Sequence, residues 1–301
     1  MNVAAGVTRG ALVAELAAVV GAPHEARFIV DEALGLGLPL GHSDLPTGAL
    51  DDDVVAAARA MAARRAAGEP LQYIFGHWPF RSLDLLVDPR VLIPRPETEQ
   101  VAEVALREAR RLRAEPGAGG LVVVDAGTGS GAIALSMATE LGTAVVREVW
   151  ATDTSTGALD VAVSNLARVQ AARDALPKVE LVAGSWLEPL PARLRGTVSL
   201  VVSNPPYVSE SEWTALEPEV KAEPRHALVA GPASDGTAGL ADVEAVLTQS
   251  REWLGDPAAV VVELAPHQAG AAVALARRLG FAEALVMPDL AGLPRALLAR
   301  T

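Results

Sequence analysis

Cysteine is absent from these 301 residues, which excludes disulfides, thiolate zinc sites and a cysteine nucleophile. Lysine is nearly absent: only Lys178 and Lys221 occur, so positive charge is carried almost wholly by arginine. Together with the alanine content this skew reads as coding bias, and the arginine count carries little functional weight. The histidines (His24, His42, His77, His226, His267) are scattered and never fall at an HExxH or similar ligand spacing, so no metal site is expected. Net positive charge is lacking too. The formal charge of −12 is opposite to the basic surface that phosphate contacts require, and stable nucleic-acid binding is not expected. No uncharged apolar run approaches the roughly 18 residues a membrane span needs. No basic segment leads into an apolar stretch at the N-terminus, and Glu15 interrupts the first apolar run. A soluble, cytoplasmic protein without membrane contact is expected.

Half of the residues are hydrophobic and 21% are charged, the balance of a globular chain, and the length favours two domains. Residues 8 to 68 read as helical. "TRGALVAELAAVVG" and "PHEARFIVDEALG" have apolar residues at helical spacing and close on glycine. "DDDVVAAARAMAARRAAG" opens with aspartates and carries Arg64 and Arg65 late, matching the helix dipole. From 69 to 96 aromatics and prolines concentrate: Tyr73, Phe75, Trp78 and Phe80 fall within eight positions. That texture predicts an extended linker or hairpin, with a helix from about Glu97. Beyond residue 120, short apolar strands (LVVVD, VWATD, VELVA, VSLVVS, AAVVVEL) alternate with amphipathic helices. The alternation predicts an α/β fold with a mostly parallel sheet covered on both faces. The expected division is a helical domain over 1–72, a linker over 73–96 and the α/β domain over 97–301.

"VVVDAGTGSGAIALSMA" places Asp125 at a strand end, then Gly127, Gly129 and Gly131, then a helix from Ser130. Such glycines allow a sharp turn and close approach of a ligand to the backbone. The G-x-G-x-G spacing differs from the G-x-G-x-x-G dinucleotide fingerprint, which argues against NAD or FAD. With the preceding acid it resembles the first motif of Rossmann-like methyltransferases, where the loop lies beside S-adenosylmethionine. Asp153 closes the next strand, where a carboxylate can accept both ribose hydroxyls. The third strand ends in "VAGSWLEPL", with Ser185 where many such enzymes have an acid that meets adenine. The indole of Trp186 can stack on a purine, or close the core.

After the fourth strand comes "NPPY": Asn204, Pro205, Pro206, Tyr207. This tetrapeptide resembles the motif of enzymes that methylate a planar nitrogen, on adenine, cytosine or glutamine. Such a nitrogen is a poor nucleophile because its lone pair is delocalised. The Asn204 side-chain oxygen and the Pro205 carbonyl can each accept one N–H, holding the nitrogen in line and favouring the charge that develops on it. Tyr207 would pack on the planar group.

"LIPRPETE" (92–99), "DAGTGSGAIALS", "VSNPPY", "EPRHAL" (223–228) and "PDLAGLPR" (288–295) occur in the order seen in the bacterial peptide-chain release factor N5-glutamine methyltransferases, the PrmC or HemK family. The resemblance covers nearly the whole chain. It implies a Rossmann-like methyltransferase domain with a seven-stranded, mostly parallel sheet, preceded by a small helical bundle that recognises substrate and by a β-hairpin linker. It further implies S-adenosylmethionine as cofactor, class I release factors as partners and the glutamine of their Gly-Gly-Gln tripeptide as acceptor. By similarity Asp125, Gly127, Thr128, Gly129, Ser130, Gly131, Asp153, Trp186 and Asn204 would bind the cofactor. Asn204, Pro205, Pro206 and Tyr207 would hold the glutamine. Arg95 either helps close the site or bridges the two domains, and Glu223 would order the loop after the motif. "DLAGLPR" departs from the family at Leu293 and Pro294, where polar or charged residues are usual. A monomer is expected. The alternatives are an adenine-N6 or cytosine-N4 methyltransferase, a glutamine methyltransferase of a ribosomal protein, and a catalytically idle binding module.

Overall fold

A computed structural model describes residues 6–36 and 46–301; the parts of the expected N-terminal domain at 1–5 and 37–45 lie outside the described residues. The chain divides into two compact units: residues up to Trp78 with Glu217–Ala222, and Pro79–Leu216 with Glu223–Thr301.

The first unit is built on helices α1 (Arg9–Val20), α2 (Pro23–Ala33), α3 (Asp52–Ala66) and α4 (Leu71–Phe75). Thr8 caps α1 by accepting the Ala11 amide, and Gly21 ends it in a left-handed conformation (φ 73°). Pro23 starts α2, where a missing N–H costs nothing. Leu12, Leu16, Ile29, Val30, Ala58 and Ala62 form the buried core. Into it points Asp31, fully buried and held by the Arg9 guanidinium through two bonds of 2.7 and 2.8 Å. Arg65 pairs with both Glu25 and Glu219. Residues 71–75 depart from the extended linker expected over 73–96: they turn as α4, with Pro70 at its N-cap and left-handed Gly76 after it. The hairpin follows as β1 (His77–Phe80) and β2 (Leu83–Leu86).

The second unit continues with α5 (Pro96–Arg113), β3 (Leu121–Ala126), α6 (Ala132–Val145), β4 (Val146–Asp153), α7 (Thr156–Ala171), β5 (Lys178–Ala183) and β6 (Val198–Ser203). It closes with α8 (Glu210–Ala215), α9 (Ala241–Trp253), β7 (Leu254–Glu263), α10 (Ala269–Arg278), β8 (Glu283–Pro288) and β9 (Pro294–Arg300). Seven strands form one sheet in the order β5-β4-β3-β6-β7-β9-β8. β3, β4, β5, β6 and β7 are parallel, and β9 runs antiparallel to both its neighbours. Successive residues of β3 serve opposite faces, as the pleat dictates. Val123 joins the core made with α5 and α6, whereas Val122 and Val124 join the one made with α9 and α10. Burial on both faces is why these strands read as unbroken apolar runs. The chain leaves β3 toward β4 and returns on its other side as β6, so a switch point lies at the carboxyl ends of β3 and β6, where open α/β sheets bind ligands. Among the described residues no helix is long and apolar enough to cross a membrane.

Candidate active site

The glycine loop turns out of β3 with positive φ at Gly127 (78°), Gly129 (54°) and Gly131 (85°), a conformation that costs residues with a Cβ. The helix starts at Ala132, with Gly131 at its N-cap, rather than at Ser130. Asp125 locks the loop from beneath. Its Oδ2 accepts the Thr128 hydroxyl at 2.6 Å and the Ala134 amide at 2.9 Å, while Oδ1 is buried without a partner. Burial above all pushes its carboxyl up to about 6; the two hydrogen bonds pull the other way. Asp153 holds the loop from the side, accepting the Gly129 amide on Oδ2 (2.9 Å) and the Ser155 amide on Oδ1 (2.8 Å). Each oxygen keeps a lone pair for a further donor.

These residues border a cavity of about 480 Å³, lined among others by Gly127, Thr128, Gly129, Ser130, Asp153, Ser185, Trp186 and Asn204. Asp125 and Gly131 lie behind its wall, not on it. A Cβ on Gly127 would come within 3.0 Å of the Trp186 ring, so loop and indole form one close-fitting wall. Trp186 itself sits at positive φ (48°), with its carbonyl held by the Thr152 hydroxyl at 2.6 Å. Its ring both lines the cavity and packs on the core, so the two readings of this indole are compatible. The volume suits a ligand of nucleoside size, and the open glycine backbone, the carboxylate and the indole edge fit S-adenosylmethionine, which carries a ribose, an adenine and no phosphate.

Asn204 and Pro206 also border a second, small recess of about 30 Å³. Arg95, Pro205 and Tyr207 line it with Leu92 and Val208. The structure therefore brings the tetrapeptide between a large cavity and a small one. Its backbone is held on both sides. The Ser203 hydroxyl donates to the Ala126 carbonyl at 2.6 Å, tying β6 to the start of the glycine loop. Gln268 donates from Nε2 to the Tyr207 carbonyl at 2.9 Å. Val208 bonds to Leu228 and Ala230. The Asn204 side chain donates from Nδ2 to the Thr98 hydroxyl at 3.1 Å, which leaves its oxygen as the acceptor for a ligand. The Tyr207 hydroxyl donates to Glu263 at 3.2 Å. Burial foremost, then the Glu263 charge, raises its pKa well above the usual phenol value, so it stays neutral.

Arg95 pairs with Glu223, which also accepts the Ile93 amide at 2.9 Å. Both partners lie in the second unit, so this pair is not a bridge between domains; Glu223 ties "IPRP" to the loop after the tetrapeptide. Several supporting residues have no signature in the sequence. Asn165, buried, bonds both backbone groups of Leu86 and the Ser130 carbonyl. Thr98, Glu263 and Gln268 support the tetrapeptide from α5, from the end of β7 and from just before α10. Among the described residues no group of three or more His, Asp or Glu is arranged to hold a metal.

Comparison with known proteins supplies names for this geometry. Residues 11–76 match the model of the PrmC N-terminal domain, and 111–231 that of the methyltransferase small domain. The chain is 38% identical over 287 residues to the release factor glutamine methyltransferase of Bordetella pertussis, covering 94% of this chain and 97% of that one. The protein of that name from Vibrio cholerae is 36% identical, covering 84% and 81%. Among solved structures, the hMettl16 catalytic domain in complex with the MAT2A 3′UTR hairpin 6 superposes with a TM-score of 0.51 at 14% identity, over 80% of this chain and 81% of that one. This last likeness concerns the fold alone.

Proposed function

Because this chain belongs to the release factor glutamine methyltransferase family, we propose that it transfers a methyl group from S-adenosylmethionine to the side-chain nitrogen of the Gly-Gly-Gln glutamine in class I peptide-chain release factors. The observation that carries the proposal is the placement of Asn204 on the border of both cavities, with Nδ2 engaged by Thr98.

The cofactor, held by the glycine loop, Asp153, Ser185 and Trp186, supplies an electrophilic methyl on a sulfonium. Everything else is asked of the chain's own residues. The Asn204 oxygen and the Pro205 carbonyl accept the two N–H bonds of the glutamine amide. That fixes the nitrogen at the mouth of the large cavity and favours the positive charge it acquires. Proline at 205 and 206 limits the backbone freedom of both acceptors. Tyr207, neutral and anchored at its hydroxyl, gives the planar amide a face to lie on. No strong base is required, since the proton becomes acidic once the nitrogen is alkylated. The same proposal places the enzyme in the cytoplasm as a monomer, the N-terminal helical domain reading the rest of the release factor.

Base-amine methyltransferases share the tetrapeptide, but the relatives that match over most of the chain are named for release factors. The net charge of −12 also disfavours a nucleic-acid substrate. Labelled cofactor incubated with a purified class I release factor or with DNA tests the assignment. Label on the release factor supports it; label on DNA alone, or on neither, sinks it.

A further inference from the structure

Among the described residues two carboxylates line the large cavity, Asp153 and Asp242. Both oxygens of Asp153 already accept loop amides. Asp242 is half-buried in the first turn of α9, and among the described residues nothing is bonded to it. Burial alone raises its pKa above the usual carboxylate value. Its neighbours are occupied: the Ala241 amide donates to the Gly231 carbonyl at 3.1 Å, and Glu244 accepts from Ser234. An unpaired carboxylate partly stripped of water is a cost to the fold. One that faces a cavity is placed to meet a donor on a ligand.

The side of α9 that Asp242 occupies determines which end of a ligand it meets. Asp242 and Gln249 are seven residues apart, so they share one side of the helix, two turns or roughly 10 Å from each other. Gln249 accepts the Leu187 amide on Oε1 at 2.9 Å and reaches Glu188 with Nε2. That side of α9 therefore lies against the turn after β5. Leu187 is fully buried, and the cavity wall begins just before it, with Trp186 and Ser185. Two turns along the same side of α9 the wall is Asp242. The indole and this carboxylate thus bound one end of the cavity from two different elements, and Asn204 marks where the methyl is delivered.

Resting on S-adenosylmethionine as the cofactor, we propose that Asp242 reads the base: its carboxylate accepts the 6-amino group of the adenine, which makes it a specificity-determining residue of the cofactor site. The other donors of the cofactor are accounted for elsewhere. The ribose hydroxyls fall to Asp153. The ammonium and the sulfonium belong to the tail, which leaves the ribose on the carbon opposite the base and has to bring its methyl to Asn204. The 6-amino group lies in the plane of the purine, so a base stacked on the indole points it at a side wall rather than at the indole. Ser185, with a hydroxyl, can donate as well as accept and does not by itself demand an amine. A carboxylate only accepts, so Asp242 favours a base with N–H groups at that position over one without them.

Calorimetric titration with two ligands tests this: S-adenosylhomocysteine, and its analogue with hydrogen in place of the 6-amino group. The wild type is expected to prefer the first roughly 10- to 100-fold. Asp242→Ala is expected to bind the two about equally, because only the amino form loses affinity. Asp242→Asn, which keeps an acceptor but no charge, should fall between. The ratio compares two ligands on one protein, so a general loosening of the fold cancels, and Asp242→Asn decides should Asp242→Ala bind neither. No preference in the wild type, or an unchanged preference in the variants, overturns the proposal. A loss in the variants that is equal for both ligands assigns Asp242 to the ammonium, and one confined to S-adenosylmethionine assigns it to the sulfonium; either overturns it too. A wild type that binds neither S-adenosylmethionine nor S-adenosylhomocysteine refutes the function proposed above as well, whereas one that binds both without reading the amine refutes only the role of Asp242.

Discussion

Gly239 packs so closely under the tetrapeptide that a single added methyl group would displace it. It adopts φ +70°, and a Cβ built there would lie 2.3 Å from the Tyr207 carbonyl oxygen and 2.7 Å from Gln268 Nε2. Gly239→Ala therefore forces the Tyr207 carbonyl or the Gln268 side chain to move. The left-handed backbone costs about 1–2 kcal/mol once a Cβ is present. Losing the Gln268–Tyr207 bond costs about 1 kcal/mol, and overpacking about 1–3 kcal/mol. A loss of about 3–6 kcal/mol in stability is expected, with the displacement centred on Tyr207. Gly236 provides the control: its φ is +86° but nothing lies within 4 Å of where a Cβ would stand, so Gly236→Ala incurs only the backbone cost. Urea unfolding followed by tryptophan fluorescence, cofactor binding by calorimetry and initial rates of methyl transfer compare the two. Gly239→Ala is expected to lose kcat by roughly 10- to 100-fold while binding cofactor normally, and Gly236→Ala to keep wild-type kcat. Equal stability and equal activity in the two variants would refute the claim that this glycine seats the tetrapeptide.

Three further outcomes are expected. Asp153→Ala removes the acceptor of two loop amides and should weaken S-adenosylmethionine binding at least about tenfold, measured by calorimetry; unchanged affinity would remove Asp153 from the cofactor site. Asp125 and Glu263 both bind protons more tightly folded than unfolded, at about 6 against 3.8 and about 7 against 4.5. Folding then takes up protons, so stability in urea should rise by about 4 kcal/mol from pH 8 to pH 5, and a flat or falling curve contradicts this. Arg9→Ala leaves Asp31 charged and buried without its partner, which should cost about 3–5 kcal/mol, seen as faster amide exchange in α1 and α2; unchanged exchange would contradict the role of the pair.

What the sequence made legible was what is local along the chain. The glycine loop, the carboxylate ending the second strand and "NPPY" are each short strings whose spacing carries the chemistry, and strand–helix alternation announced the sheet. The supporting residues were not legible, because register rather than spacing brings them in. Thr98 meets Asn204 from a helix more than a hundred positions earlier, and Glu263 reaches Tyr207 only because β7 pairs beside β6. An acid ending a strand is indistinguishable in sequence from one facing water. Arg95 shows the same limit: its charge was evident, but that its partner is Glu223 depends on how the loop after Tyr207 folds back. The left-handed backbone of Trp186 has no signature at all, since tryptophan is not a residue that favours it. Residues 71–75 were hidden by the aromatics and prolines around them, which suit a hairpin as well as a single helical turn.

Whether the clamp built around Asn204 delivers a glutamine side chain to the methyl donor is tested most directly by fragment mass spectrometry of a class I release factor after reaction with the wild type and with Asn204→Ala. One added methyl is expected, located on the side-chain nitrogen of the Gly-Gly-Gln glutamine. It should be absent with Asn204→Ala although that variant still binds S-adenosylmethionine. A methyl on any other residue, or undiminished modification by Asn204→Ala, would contradict the role assigned to the clamp.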